Sequence, residues 1–124
     1  MKVLLSIKPE YAEKILSGEK KYEFRRAIFK KNTIKKVVIY ASSPVQKVIG
    51  EFDIDYILSL ELEELWSKTN EHSGIDKPFY DQYFNGKDIG YAIKVKKARR
   101  YRKSYDLEDI DIYHAPQSYR YITL

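Results

Sequence analysis

Alternation between apolar and polar residues most constrains how this chain folds, because it recurs in six segments while helical spacing recurs in only three. The alternation predicts β-strands over residues 3–8, 20–26, 34–40, 48–58, 91–101 and 119–123. Crossover helices do not regularly separate these strands. The pattern therefore favours an α+β fold, a mixed and largely antiparallel β-barrel flanked by short helices, over a doubly wound parallel sheet.

Three segments show the spacing of short helices. Pro9 suits the first position of a helix and Gly18 suits its C-terminal cap, so a first helix is expected between them. Apolar spacing predicts a second helix over residues 60–69, and an aromatic cluster over residues 79–84 predicts a third. Gly50 lies inside the fourth predicted strand, which indicates a bulge or a close approach of two backbones.

Length and composition narrow the class of protein. A chain of 124 residues suits one domain, residues 1–124, and it has no apolar run near the roughly 20 residues that a membrane helix needs. The absence of cysteine excludes disulfides and thiolate chemistry. The two histidines, His72 and His114, lack partners at ligand spacing and are expected to be bystanders. We therefore expect a cytoplasmic protein with no membrane contact, no metal and no cofactor.

Charge is distributed unevenly and points to an anionic partner. Residues 1–50, 51–90 and 91–124 carry net charges of +8, −7 and +4. If the two basic segments meet, they form a positive face that attracts phosphates. Twelve tyrosines add rings that stack on unpaired bases, although tyrosine is also common in strands. The basic stretch containing Arg99 and Arg100 could belong to such a positive face. The alternative is that it is an ordinary solvent-exposed charged surface, as most runs of charged residues are.

The most informative segment is residues 18–26, Gly-Glu-Lys-Lys-Tyr-Glu-Phe-Arg-Arg. A helix ending on glycine is followed by a strand that brings Lys20, Glu23 and Arg25 together, with Glu23 and Arg25 on one face. A carboxylate between cations can orient an arginine for phosphate contact, or act as a general base with Lys20 as its electrostatic partner. The alternative is that these residues form a surface salt bridge that takes part in no reaction and contributes little stability.

The motif Gly-x-Lys-x-x-Glu-x-Arg, with the strand and helix of residues 4–16 before it, resembles the signature of the ASCH domain family, which is PUA-like. The similarity extends to residues 40–44, 49–52 and 115–122 and so covers nearly the whole chain. The resemblance implies a PUA-like β-barrel with a cleft beside the motif strand. It also implies an RNA-binding module that holds a nucleotide or short single-stranded RNA, with a role in translation-linked or transcriptional regulation.

Some ASCH relatives are enzymes, including ribonucleases and an amidohydrolase that deacetylates N4-acetylcytidine with a lysine, a threonine and a glutamate. Lys20 matches that lysine, but Glu23 stands where the threonine is expected. Glu51 is a candidate for the remaining carboxylate, although a glutamate on an exposed strand face is more often solvated. A metal-independent hydrolase of RNA or a modified nucleoside is therefore the alternative. A protein-interaction module using the acidic residues 61–64 is a weaker one.

These interpretations name one set of candidate residues. Lys20 and Glu23 are catalytic if the protein is an enzyme, Tyr40 and Ser43 form a second wall of the cleft, and the Gln117 amide reads a base edge. The expected contacts to RNA or to a nucleotide are Lys8, Lys20, Glu23, Arg25, Arg26, Tyr40, Ser43, Arg99, Arg100, Gln117 and Ser118.

Overall fold

The computed structural model describes residues 1–124 and contains six strands and three α-helices, as the sequence predicts. The strands are β1 (Lys2–Ile7), β2 (Tyr22–Arg25), β3 (Lys36–Ala41), β4 (Lys47–Glu61), β5 (Ile89–Tyr105) and β6 (Arg120–Ile122). The helices are α1 (Pro9–Ser17), α2 (Leu62–Thr69) and α3 (Lys77–Tyr83), with 3₁₀ turns at Asn70–His72 and Leu107–Ile110. No helix combines the length and apolar character needed to cross a membrane.

The strands form one sheet in the order β2-β5-β4-β3-β1-β6. Only β1 and β3 pair in parallel, so the prediction of a mixed, largely antiparallel α+β fold is confirmed. The prediction of a closed barrel was wrong, because the edge strands β2 and β6 do not pair. Side chains connect these edges instead. Arg25 donates to the Ser118 carbonyl, and the Tyr121 hydroxyl accepts from the backbone amides of Lys30 and Lys31.

Strands β4 and β5 are longer than the alternation predicts. They pair from Val48 opposite Tyr105 to Glu61 opposite Ile89, and each strand satisfies the backbone groups of the other. Because β4 continues to Glu61, α2 begins at Leu62 rather than at residue 60. The Glu61 side chain then accepts from the Glu63 amide as the N-cap of α2.

Gly50 lies where two backbones approach closely, as predicted. The register of β4 against β5 shifts between Val48 and Gly50. A Cβ atom built on Gly50 would lie 2.6 Å from the Arg99 carbonyl oxygen, which is too close for any real side chain. Glycine is therefore required at this bulge by space rather than by backbone torsion.

Apolar residues cover both faces of the sheet. Alternate residues of β1, such as Val3 and Leu5, pack with α1, while Leu4 lies in a cluster on the opposite face. A third cluster joins β2 to α2 and α3 through Phe24, Leu65 and other residues. Tyr11 of α1 and Phe79 of α3 also contact each other, and residues of both helices line one cavity together with the motif strand β2.

Candidate functional site

A cavity of about 280 Å³ opens between β1, α1, β2 and α3, and we call it the β2 cavity. Its walls combine aromatic rings with charged and amide side chains, namely Tyr11, Phe24, Phe79 and Tyr83 with Lys8, Lys20, Glu23, Arg25 and Gln117. Five of the eleven candidate residues from the sequence therefore lie together. The aromatic rings were not among the candidates.

Local sequence explains how the motif residues reach this cavity. Gly18 adopts a left-handed conformation with φ of +90° and ends α1, which turns the chain into β2. The Lys20 amide then donates to the Lys14 carbonyl at 2.9 Å. Glu23 and Arg25 are two residues apart on β2 and project from the same face of the strand.

Lys20 is the most buried cation of the site, with 2% of its surface exposed. Its Nζ donates to the Ser73 carbonyl and lies 4.8 Å from the centroid of the Phe24 ring and 5.5 Å from that of Tyr11. Burial lowers the pKa of Lys20 from 10.5 to about 8, although the nearby Glu23 carboxylate acts in the opposite direction. An amine with this pKa exchanges a proton readily near neutral pH.

The loop between α2 and α3 covers Lys20. The Lys21 amide donates to the His72 carbonyl at 2.8 Å, and Lys14 Nζ donates to the Gly74 carbonyl at 3.1 Å. Gly74 has a φ of +71°, and a Cβ atom there would lie 2.7 Å from Lys20 Cγ. Gly74 therefore lets the loop pack directly on the lysine. His72 contributes only its backbone to these contacts.

Glu23 and Arg25 form an ion pair that is largely removed from solvent. Arg25 Nη1 lies 3.2 Å from Glu23 Oε2, and the two side chains are 12% and 9% exposed. Arg25 also donates to the carbonyls of Ser6 at 3.3 Å and Ser118 at 2.6 Å. The alternative of a solvent-exposed salt bridge was wrong, because β1 and the segment before β6 enclose the pair. Three acceptors hold a guanidinium that carries five N–H donors, so it keeps capacity for an anion.

Other candidate residues lie outside the β2 cavity. Arg26 is exposed and donates to the Asn85 carbonyl, and Ser118 contributes its carbonyl to Arg25. Tyr40 is buried in the cluster that contains Leu4 and Val48, and Ser43 is exposed in the turn after β3. Neither Tyr40 nor Ser43 lines this cavity.

Arg99 and Arg100 point to opposite faces of β5 and pair with carboxylates. Arg100 Nη2 is bound to Glu13 of α1, and Arg99 Nη2 is bound to Glu51 of β4. Both arginines stay about half exposed. The two residues are absent from the lining of the β2 cavity.

The expectation that Glu51 is solvated was wrong, because only 3% of its surface is exposed. It accepts from Lys2 Nζ at 3.0 Å and from the Tyr101 hydroxyl at 2.8 Å, besides its pair with Arg99. Burial raises the pKa of Glu51, but these hydrogen bonds and charges outweigh burial and hold it below its ordinary value. Glu51 does not line the β2 cavity and does not supply a carboxylate there.

The missed residues had weak local signals. In the sequence, Tyr11 belongs to the apolar spacing of the segment between Pro9 and Gly18, and Phe79 and Tyr83 belong to the aromatic cluster that predicts a short helix. Their i, i+4 spacing places Phe79 and Tyr83 on one face, where the rings stack with centroids 6.3 Å apart. The structure contains no group of three or more histidine, aspartate and glutamate side chains placed to hold a metal ion.

Comparison with known proteins matches the family model of the ASCH domain to residues 5–99. Large ribosomal subunit protein uL22 of Ureaplasma parvum is 32% identical over 97% of this chain, which spans only 39% of that protein. An ASCH domain-containing ribonuclease of Zymomonas mobilis is 33% identical over 75% of this chain and 63% of its own length. The crystal structure of ASCH from Zymomonas mobilis aligns with a TM-score of 0.90 at 28% identity, covering 98% of this chain and 87% of that one.

Proposed function

This chain belongs to the ASCH domain family, and we propose that it binds single-stranded RNA with one nucleotide held in the β2 cavity. The observation that carries the proposal is Arg25, a guanidinium held by Glu23 and two carbonyls at the wall of a cavity that is also lined by four aromatic rings. An arginine oriented in this way is suited to a phosphate or a base edge.

The aromatic walls support a base as the ligand. The Tyr11 and Phe79 rings lie 5.4 Å apart at an angle of 61°, and the cavity volume of about 280 Å³ suits a small flat group. Stacking of a base on such a ring contributes about 1 to 3 kcal/mol and tolerates any sequence. Lys8 Nζ lies 5.7 Å from the Phe79 ring centroid, where it adds a cation for the attached phosphate.

Arg25→Ala tests the proposal directly. We expect this change to weaken binding of a labelled random hexanucleotide RNA by about 1 to 3 kcal/mol, measured by fluorescence anisotropy, because an oriented charged donor is lost. Arg26→Ala removes the neighbouring arginine outside the cavity and should have a smaller effect. Equal affinity for the parent and Arg25→Ala, with both folded by circular dichroism, would refute the assigned site.

Hydrolysis of RNA is the second candidate function, and the buried Lys20 favours it. With a pKa of about 8, its amine is partly neutral near pH 7 to 8 and lies in the same cavity as the Glu23 carboxylate. Either group is suited to accept the proton of an attacking hydroxyl without a metal ion. One relative is named as a ribonuclease, which supports RNA hydrolysis as a candidate function of this chain.

Glu23→Gln distinguishes the two functions. The change keeps size and hydrogen-bonding capacity but removes the charge, so a general base would lose on the order of 10² to 10⁴ in rate with little change in affinity. The assay incubates the protein with total RNA and a panel of modified nucleosides, including N4-acetylcytidine, and scores retention and product with EDTA present. Retention without product in the parent protein identifies a binding module.

We also propose that residues 1–124 act as one module in the cytoplasm, where RNA binding serves the regulation of translation or transcription. If the chain is one domain, it should unfold in one cooperative transition. Fluorescence and far-UV circular dichroism should then give the same midpoint of unfolding. Two separate transitions would contradict it. Cell fractionation with crosslinking to RNA tests the location and the partner together.

A further inference from the structure

A second cavity of about 390 Å³ lies between the connection from β2 to β3 and the middle of β4, and we call it the β4 cavity. Its lining includes three lysines, Lys30, Lys31 and Lys35, and the rings of Tyr56 and Tyr91. None of the residues singled out in the sequence lies in it, and neither candidate function uses it.

The lysines of the β4 cavity are not neutralised by neighbouring acids. Lys30, Lys31 and Lys35 are all exposed, and none lies within 4.0 Å of a carboxylate oxygen. Asp55 is the one acidic residue of the lining, and its carboxylate lies 4.0 Å from Lys94 Nζ. The cavity therefore carries positive charge available to an anionic ligand.

The aromatic part of the β4 cavity offers a fixed and accessible ring. Tyr56 is 44% exposed although it is a large ring, and the neighbouring Ile57 is 37% exposed. The hydroxyls of Tyr56 and Tyr22 lie 3.1 Å apart, and this hydrogen bond restrains the Tyr56 ring. An exposed, restrained ring beside free lysines matches a ligand that has a flat base and a phosphate.

The linings of the two cavities meet at one pair of residues in the sheet. Arg25 of the β2 cavity pairs with Tyr91 of the β4 cavity, directly opposite in the β2 and β5 ladder. Side chains at directly opposite positions have Cβ atoms about 5 Å apart. The linings of the two cavities therefore come together at this strand pair, within reach of a short single-stranded segment.

We infer that the β4 cavity binds a further nucleotide of the same RNA strand whose first nucleotide lies in the β2 cavity. The inference rests on the proposed RNA binding and deepens it, because it extends the site from one nucleotide to a short segment. Tyr56 stacks on the base, and Lys35 with Lys30 contacts the phosphate. Affinity should consequently rise with RNA length from one to about four nucleotides.

The test titrates isotope-labelled protein with uridine monophosphate and with tetrauridylate, and follows amide shifts around both cavities. We expect Tyr56→Ala to weaken the tetranucleotide on the order of 5- to 150-fold, the effect of losing one stacked base, and to leave the mononucleotide unchanged. Lys35→Gln should lower the slope of log affinity against log salt by roughly 0.7. Tyr56→Phe keeps the ring but loses its hydrogen bond to Tyr22, so it should retain more affinity for the tetranucleotide than Tyr56→Ala. Lys68→Gln changes an exposed lysine on α2, outside both cavities, and should bind like the parent.

The possible results separate this inference from the proposal beneath it. Shifts around both cavities, lost around the β4 cavity alone in Tyr56→Ala, support the inference. Shifts confined to the β2 cavity, or equal affinity for one and four nucleotides, overturn it and leave the proposed function standing. Shifts at neither cavity overturn both. Shifts at the β4 cavity alone overturn the proposed β2 site, and the continuous strand with it.

Discussion

Burial of the Lys20 amine makes the stability of the protein depend on pH in a specific direction. The side chain is 2% exposed, and burial lowers its pKa from 10.5 to about 8. The difference corresponds to roughly 3 kcal/mol between charged and neutral lysine in the folded protein. Below pH 8 the charge is present in both states, so the folded protein bears the full cost of burying it.

The expected sign follows from proton binding. Between pH 8 and 10 the folded protein has released the Lys20 proton while the unfolded chain still binds it, so the free energy of unfolding rises with pH. Lys20 alone should contribute about 2 to 3 kcal/mol to this rise. Toward pH 10 the trend reverses, because burial raises the pKa values of Tyr22, Tyr80 and Tyr101 and these groups ionise first in the unfolded chain.

Urea denaturation at several pH values between 7 and 10 measures this rise. Lys20→Met removes the titrating group and should abolish the rise, whereas Lys21→Met, a change in the exposed neighbour, should keep the parent profile. An NMR titration of the Lys20 side-chain amine gives its pKa directly. Equal pH profiles for the parent and Lys20→Met, or a Lys20 pKa near 10.5, would refute the reasoning.

RNA binding should also respond to salt and to the basic half of β5. Affinity for RNA should fall steeply between 50 and 200 mM salt, since each neutralised phosphate of a single strand contributes about 0.7 to the slope of log affinity against log salt. An affinity that does not change with salt would contradict the predicted phosphate contacts. Arg99→Ala combined with Arg100→Ala should weaken every RNA sequence by a similar factor, measured on a panel of oligonucleotides, because phosphate contacts carry no sequence information. A loss limited to one sequence would contradict that role.

Short-range patterns in the sequence predict many elements because their causes are local. Pro9 and Gly18 set the ends of α1, where one fixes a helical φ and the other adopts a φ of +90°. Strand alternation placed β1 and β2 within two residues of their observed ends. The motif spacing likewise placed Lys20, Glu23 and Arg25 on one short segment that lines the β2 cavity.

The sequence predicts the pairing between distant strands less well. Alternation suggested a closed barrel, but closure depends on whether the three residues of β6 pair with the four of β2, and a side chain bridges that gap instead. The sequence alone does not show that Arg99 and Glu51 pair, or that Glu51 is buried. The register of β4 against β5 places these two opposite each other, and no local pattern in either strand reveals that register.

The amino-acid sequence by itself determined the α+β class, the order of elements and the charged motif, because all three depend on residues a few positions apart. The tertiary structure decided the chemistry available to that motif. Lys20 meets the carbonyl of Ser73, 53 residues away, and Arg25 meets that of Ser118, 93 residues away. Burial by these distant segments lowers the pKa of the lysine and orients the arginine, and only the folded chain brings them together.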